Sequence, residues 1–225
     1  MSALEAIDIT KTYHEAGRAY DVLKGVNLCI QKGEVVALEG RSGSGKTTLL
    51  SILGCIMQPT DGRIVIDGRD VIVKTAVMVR RLSLGFVFQN CNLIPALRAR
   101  QTVSYVLRLK GWAAKSAMGE AERLLELVGL GERKNQLPRD LSGGEKQRLA
   151  IARAMAGDPA IILADEPTAN LDSETAREIL TLFRQLAKEH GRALLIVTHD
   201  HAVRSIADRV LNLNEGTLCP ANITG

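Results

Sequence analysis

The run Gly40-Arg41-Ser42-Gly43-Ser44-Gly45-Lys46-Thr47 constrains this chain more than any other stretch of it. It satisfies the pattern Gly, four free positions, Gly-Lys-Ser/Thr, and it stands between an apolar run at 35–39 and a helical pattern at 48–53. Strand, Gly-rich turn and helix in that order predict a phosphate-binding loop. The glycines let backbone N–H groups turn inward around an anion. The new helix, opening through Thr48, aims the positive end of its dipole at the same place. Arg41, Ser42 and Ser44 complete the loop. Lys46 supplies a mobile charge for β- and γ-phosphates, and the Thr47 hydroxyl is a candidate ligand for Mg²⁺. A simple Gly-rich turn would not require the Lys-Thr pair.

Three further apolar runs end in polar groups. Ile161-Ile162-Leu163-Ala164 leads into Asp165 and Glu166, two carboxylates at the end of a buried strand, a costly placement unless a cation or solvent receives them. Asp165 is the candidate to bind Mg²⁺ through water, and Glu166 the candidate to polarise a water that attacks a γ-phosphate. Residues 84–88 end in Gln89, and residues 193–197 run into Thr198-His199-Asp200. Singly, Gln89 or His199 reads as a satisfied structural residue. Four strands delivering polar groups at their C-terminal ends match the edge where open parallel sheets bind ligands.

The remaining pattern fits one domain over residues 1–225. Residues 4–10, 26–30 and 63–67 read as strands, the last as a hairpin arm between Asp61-Gly62 and Asp67-Gly68, and the opening third reads as strands and turns. From 93 to 137 the pattern is helical, with Met118, Ala121, Leu124, Leu125 and Val128 on one face of a helix over 114–129. Later, strands at 161–164 and 193–197 flank a helix over 173–190. Ser173 is its expected N-cap, Ile179, Phe183 and Leu186 its core face, and Gly191 its stop. This rhythm predicts an α/β fold with a mainly parallel sheet. A formal charge of +4, from 29 Lys and Arg against 25 Asp and Glu, is too small to predict nucleic-acid binding. Four scattered cysteines predict reduced thiols, with no disulfide or zinc framework. Met1-Ser2-Ala3-Leu4-Glu5 does not resemble a secretory leader, and no apolar run reaches the ~20 residues of a membrane-spanning helix.

One motif stands outside this scheme. Leu141-Ser142-Gly143-Gly144-Glu145 precedes a helical stretch at 149–156. Ser142 and Glu145 fit a capping box. Two glycines in a first helical turn are each disfavoured by up to ~1 kcal/mol relative to Ala. They are explained if a phosphate approaches the bare backbone there, and because residues 40–47 already cradle one nucleotide, this second anion site is expected to serve another molecule's.

With these motifs the chain resembles the ABC ATPase family over essentially its whole length. Residues 40–47 are similar to its Walker A loop, 161–166 to Walker B, and 141–145 to its signature. Gln89 falls at the Q-loop position, Asn170-Leu171-Asp172 at the D-loop and His199 at the switch. Tyr13 fits the aromatic that stacks on adenine, with Tyr20 an alternative. The resemblance implies a P-loop NTPase of the ABC type, with an N-terminal antiparallel β subdomain and a helical subdomain over roughly 92–142. It implies a head-to-tail homodimer with two ATPs, each between Lys46 of one subunit and Ser142, Gly143 and Gly144 of the other, with Asp172 nearby. Catalysis would fall to Glu166, His199, Gln89 and Lys46, and Mg²⁺ to Thr47, Gln89 and Asp165.

Leu84-Gly85-Phe86-Val87-Phe88-Gln89, Asn92-Leu93-Ile94-Pro95 and Pro167-Thr168-Ala169-Asn170 resemble a bacterial branch that holds lipoprotein-release, macrolide-export and DevA-type ATPases. That branch implies a peripheral subunit on the cytoplasmic face of the inner membrane, driving a separate permease, with a periplasmic adaptor in some systems. Leu93, Ile94 and Leu97 are candidate apolar contacts for that permease, or core residues. A cell-division-type regulator that moves no cargo is the alternative. A DNA-associated ATPase is disfavoured, because the segment between phosphate loop and signature is short and lacks sustained heptads.

Overall fold

The computed structural model describes residues 1–15 and 17–221; residue 16 and residues 222–225 of the expected domain lie outside the described residues. The chain opens with two long strands, β1 (Ser2–Glu15) and β2 (Arg18–Gln31), then β3 (Val35–Glu39) and α1 (Lys46–Leu53). A hairpin follows, β4 (Asp61–Ile66) and β5 (Arg69–Asp70), then α2 (Val73–Ser83) and β6 (Leu84–Val87). Three helices come next: α3 (Ala99–Leu109), α4 (Ala114–Leu127) and α5 (Gly143–Met155). The chain closes with β7 (Ile161–Asp165), α6 (Ser173–His190), β8 (Ala193–Val197), β9 (Arg209–Asn214) and β10 (Thr217–Pro220).

Two sheets result. One is antiparallel, in the order β2-β1-β4-β5; the other runs β10-β9-β3-β8-β7-β6 and is parallel throughout except for the β9–β10 hairpin. The central strands are apolar at nearly every position because both faces are covered. Their alternation divides two cores. Val35, Ala37, Ile162, Ala164, Leu194 and Ile196 face α3–α6, whereas Val36, Leu38, Ile161, Leu163, Leu195 and Val197 face α1 and the antiparallel sheet.

The local chemistry fits each element. In α6, Ala176, Ile179, Leu180, Phe183, Leu186 and Ala187 recur at helical spacing and are buried. Gly191, with φ of 63°, ends that helix in the left-handed conformation. Its N-cap is Asp172 and not Ser173: the Asp172 carboxylate accepts from the Glu174 and Thr175 amides at 3.1 and 3.0 Å, so Ser173 becomes the first helical residue. In α4 the core position is taken by Ala117, with Met118 half-buried beside it.

The opening third holds a helix that the strand-and-turn expectation omits. None of the residues of α2 is buried, so it lacks the core stripe that reveals a helix in sequence. Its outward face carries Val73, Lys74, Val77, Met78, Arg81 and Leu82, four apolar and two basic residues with no acid. The cysteines are free thiols, as expected, and among the described residues no helix is long and apolar enough to cross a membrane.

Candidate active site

The C-terminal ends of β3, β6, β7 and β8 open into one cleft of about 850 Å³. Gly40, Arg41, Ser42, Gly43, Gly45, Lys46, Thr47 and Thr48 form one wall, with Gln89, Asp165, Glu166 and His199 opposite. The parallel register puts these ends side by side: Leu38 pairs with Val197, Asp165 with Val197, and Val87 with Ala164.

The loop is held in shape by its own backbone. Gly43 and Gly45 adopt φ of 79° and 102°, which other residues adopt only under strain. A Cβ on Gly40 would stand 2.4 Å from the Leu213 carbonyl oxygen, so only glycine fits between the loop and β9. Lys46 Nζ donates to the carbonyls of Gly40 and Arg41 at 2.6 and 3.0 Å, so its charge lies along the inner rim. Gly45 is the N-cap of α1 and offers no side-chain oxygen, which leaves the first amides of that helix directed at the cleft. Ser44 Oγ is buried without a hydrogen-bond partner inside the protein.

On the opposite wall the two carboxylates differ. Burial first, and then the adjacent Glu166, push the Asp165 carboxyl above the usual carboxylate range, against the pull of Lys46. Asp165 therefore stands where added positive charge would relieve it. With the Thr47 hydroxyl and the Gln89 side chain on the same cleft, these are oxygen donors suited to Mg²⁺. The loop's inward amides, its lysine and the orphaned Ser44 hydroxyl fit a triphosphate.

Glu166 is instead well partnered. Thr198 Oγ1 donates to its Oε2 at 3.0 Å, and His199 Nδ1 lies 2.7 Å from its Oε1, a donor position when Nδ1 carries the proton. The Glu166 amide donates to the Val197 carbonyl at 2.8 Å, fixing the backbone at the strand end. Its φ is 45°, the left-handed region, an uncommon and strained conformation for a side chain of this size. Asp200 accepts from Thr168 Oγ1 at 3.0 Å and its amide donates to Thr198 Oγ1 at 2.9 Å, so a chain of hydrogen bonds stands behind His199. Thr198, Asp200 and Thr168 had no role assigned in the sequence; the polar run after the apolar strand was the available signal.

The signature residues lie elsewhere. Ser142 caps α5: its Oγ accepts from the Glu145 amide at 3.2 Å while Glu145 accepts from the Ser142 amide at 2.8 Å, the reciprocal box expected. Ser142 and Gly143 are exposed, and none of Ser142, Gly143 and Gly144 lines the cleft. Gly144 has a reason within the chain for being glycine, because a Cβ there would stand 2.5 Å from Thr175 Cγ2 of α6. Gly143 has no such neighbour closer than 3.5 Å. The explanation by an approaching phosphate thus rests on Gly143 more than on Gly144.

Asp172 is also outside the cleft, and its carboxylate is engaged by Thr175 Oγ1 at 2.7 Å as well as by the helix amides. The Thr175 amide above all holds its carboxyl below the usual range. Tyr13 and Tyr20 are cross-strand partners whose rings stack with centroids 5.8 Å apart, so the two candidate aromatics form a single unit. The Tyr13 hydroxyl lies 3.2 Å from Met57 Sδ. Leu93 packs against the core, Leu97 is half-buried and Ile94 is exposed. Just after Gln89, Cys91 Sγ donates to Gln147 Oε1 at 2.8 Å and Arg153 donates to the Asn92 carbonyl at 2.7 Å, fastening this loop to α5.

Comparison with known proteins agrees with this arrangement. The sequence profile of the ABC transporter family matches residues 23–169. The lipoprotein-releasing system ATP-binding protein LolD of Shewanella frigidimarina is 40% identical over 96% of this chain and 91% of its own length. The macrolide export ATP-binding/permease protein MacB of Rhodopirellula baltica is 46% identical over 95% of this chain, which spans 32% of that protein's length. A bacterial ABC transporter cassette solved as a dimer superposes with a TM-score of 0.85 at 39% identity, covering 96% of both chains. A second dimeric structure, a post-hydrolysis state bound to ADP and Pi, gives 0.86 at 38% identity and 99% coverage of both.

Proposed function

Because the chain belongs to the ABC transporter family, we propose that it is the ATP-binding and hydrolysing subunit of a bacterial export or mechanotransmission system, working as a homodimer on a separate membrane permease. One observation carries this reading: the loop at 40–48 shares one cleft with Gln89, Asp165, Glu166 and His199, while Ser142 and Gly143 at the start of α5 are exposed and outside it. A nucleotide held by Lys46 can meet a signature backbone only on another copy. The dimeric similar structures support that pairing.

Within the cleft the loop amides and Lys46 hold the β- and γ-phosphates. Glu166, fixed by Thr198 and His199, accepts a proton from the attacking water. His199 then stands beside the γ-phosphate and steadies both. Thr47, Gln89 and Asp165 are the residues that would hold Mg²⁺, which would supply positive charge against the phosphates. Gln89 connects the cleft to the helices through the Cys91–Gln147 and Arg153–Asn92 contacts. The Tyr13–Tyr20 stack is the candidate platform for the adenine. The permease would cover apolar surface such as Ile94 and the outward stripe of α2, and it places the subunit at the cytoplasmic face of the inner membrane. A periplasmic adaptor belongs to the same reading.

Glu166→Gln tests the core of it. This variant should bind Mg-ATP, hydrolyse it at least about 100-fold more slowly, and elute as a dimer in size-exclusion chromatography. Persistence as a monomer with bound Mg-ATP would refute the shared site.

A further inference from the structure

Glu39 ends β3 and directly precedes Gly40. Its side chain is only 8% exposed, a costly position for a carboxylate without a partner. The partner comes from the turn at His201–Ser205: Arg204 Nε donates to Oε1 at 2.8 Å and Nη2 to Oε2 at 2.7 Å. His201 Nδ1 lies 3.7 Å from Oε1. The Arg204 hydrogen bonds, foremost among the causes and against burial, hold the Glu39 carboxyl below the usual range. Nothing in the hydrolytic chemistry proposed above uses this pair.

Its location suggests a use. The Thr198 amide donates to the Leu38 carbonyl at 3.1 Å, and Arg204 grips Glu39, so the segment 198–204 is fastened near both ends to adjacent residues of β3. His199 projects from this segment with its side chain 75% exposed, so little packing fixes the ring itself. Asp200 adds an internal brace, accepting from the Ala202 amide at 2.9 Å. A planar guanidinium on a carboxylate fixes orientation as well as distance, which a lysine in the same place would not.

We propose that Glu39 and Arg204 are positioning residues that hold the switch segment in register with the phosphate loop, so that His199 stays on Glu166 during hydrolysis. The pair acts through His199, and neither residue lines the cleft. It therefore governs turnover and leaves nucleotide affinity alone. This rests on the hydrolytic role of the cleft.

The test uses the purified full chain, with turnover read from radiolabelled phosphate release, affinity from calorimetry with Mg-ATP, and Tm. Arg204→Ala and Glu39→Gln should each lower turnover about tenfold or more while Kd stays within about twofold. Arg204→Lys should fall between them and wild type. On a His199→Ala background, Arg204→Ala should lower turnover no further, whereas a general loss of structure would compound. Wild-type turnover in either single variant, a matching loss of affinity, or a multiplied loss on the His199→Ala background would overturn the proposal. Should Arg204→Ala fail to fold, Arg204→Lys decides: wild-type turnover in that folded variant refutes the need for the fork. Lys46→Ala and Glu166→Gln run alongside. If they keep turnover, the hydrolytic reading itself is wrong; if they lose it while Arg204→Ala does not, only the positioning role is.

Discussion

A Cβ placed on Gly144 would meet Thr175 Cγ2 at 2.5 Å, and the usual relief, turning the threonine, is blocked because its hydroxyl holds Asp172 at 2.7 Å. Gly144→Ala should therefore destabilise the protein by about 1–3 kcal/mol. Thr175→Ser, which removes the methyl and keeps the hydroxyl, should restore most of it. A double-mutant cycle in urea measures the coupling, and additive losses would show the contact to be harmless. Lys46 answers to a simpler demand. Its ammonium is already aligned by the Gly40 and Arg41 carbonyls, and a hydrogen bond to a charged group is worth about 1.5–3 kcal/mol. Lys46→Ala should weaken Mg-ATP binding by roughly 10- to 100-fold in calorimetry; unchanged affinity would remove the cradle assignment.

Among the elements, the junction of β3, β9 and α6 depends on one carboxylate. Asp208 accepts from the Val35 amide at 2.9 Å, from Arg184 at 2.8 Å and from Lys188 at 2.9 Å. Burial raises its carboxyl, yet these donors outweigh it and bring the pKa down to about 2. A carboxylate depressed on folding contributes stability that is complete above its unfolded pKa of about 4 and fades as pH falls toward 2. Discounted for solvent screening, that is about 1 kcal/mol. Asp208→Asn should lower Tm by about 2–4 °C at pH 7, with the difference closing near pH 2 in thermal scans followed by circular dichroism. The strands β3, β7 and β8 and the helix α6 were legible in the sequence, because a run of four or five apolar residues between turn signals and a helical stripe each stand out. Helix α2 was not, since its stripe faces outward and mimics a strand-rich segment. Nor was the N-cap: Asp172 and Ser173 are both good caps, and only the hydrogen bonds to Glu174 and Thr175 separate them.

At the scale of the whole molecule, the sheet divides two cores and its C-terminal edge gathers residues far apart in the chain. The convergence of Gly40, Gln89, Asp165, Glu166 and His199 was legible from four apolar runs, since parallel pairing brings like ends together. Contacts that depend on side-chain reach were not: Glu39 with Arg204, Thr198 with Glu166, and Thr175 against Gly144 have no signature in linear order.

The left-handed backbone at Glu166 has a further result. The residues that relieve such a φ most easily, glycine and asparagine, are also those that delete the proposed general base. Relief of the backbone therefore pulls this position one way, and the Thr198 and His199 contacts together with selection for turnover pull it the other. In any lineage that had lost its transport task, this is among the first positions where drift toward an inert relative with a relaxed backbone would be expected.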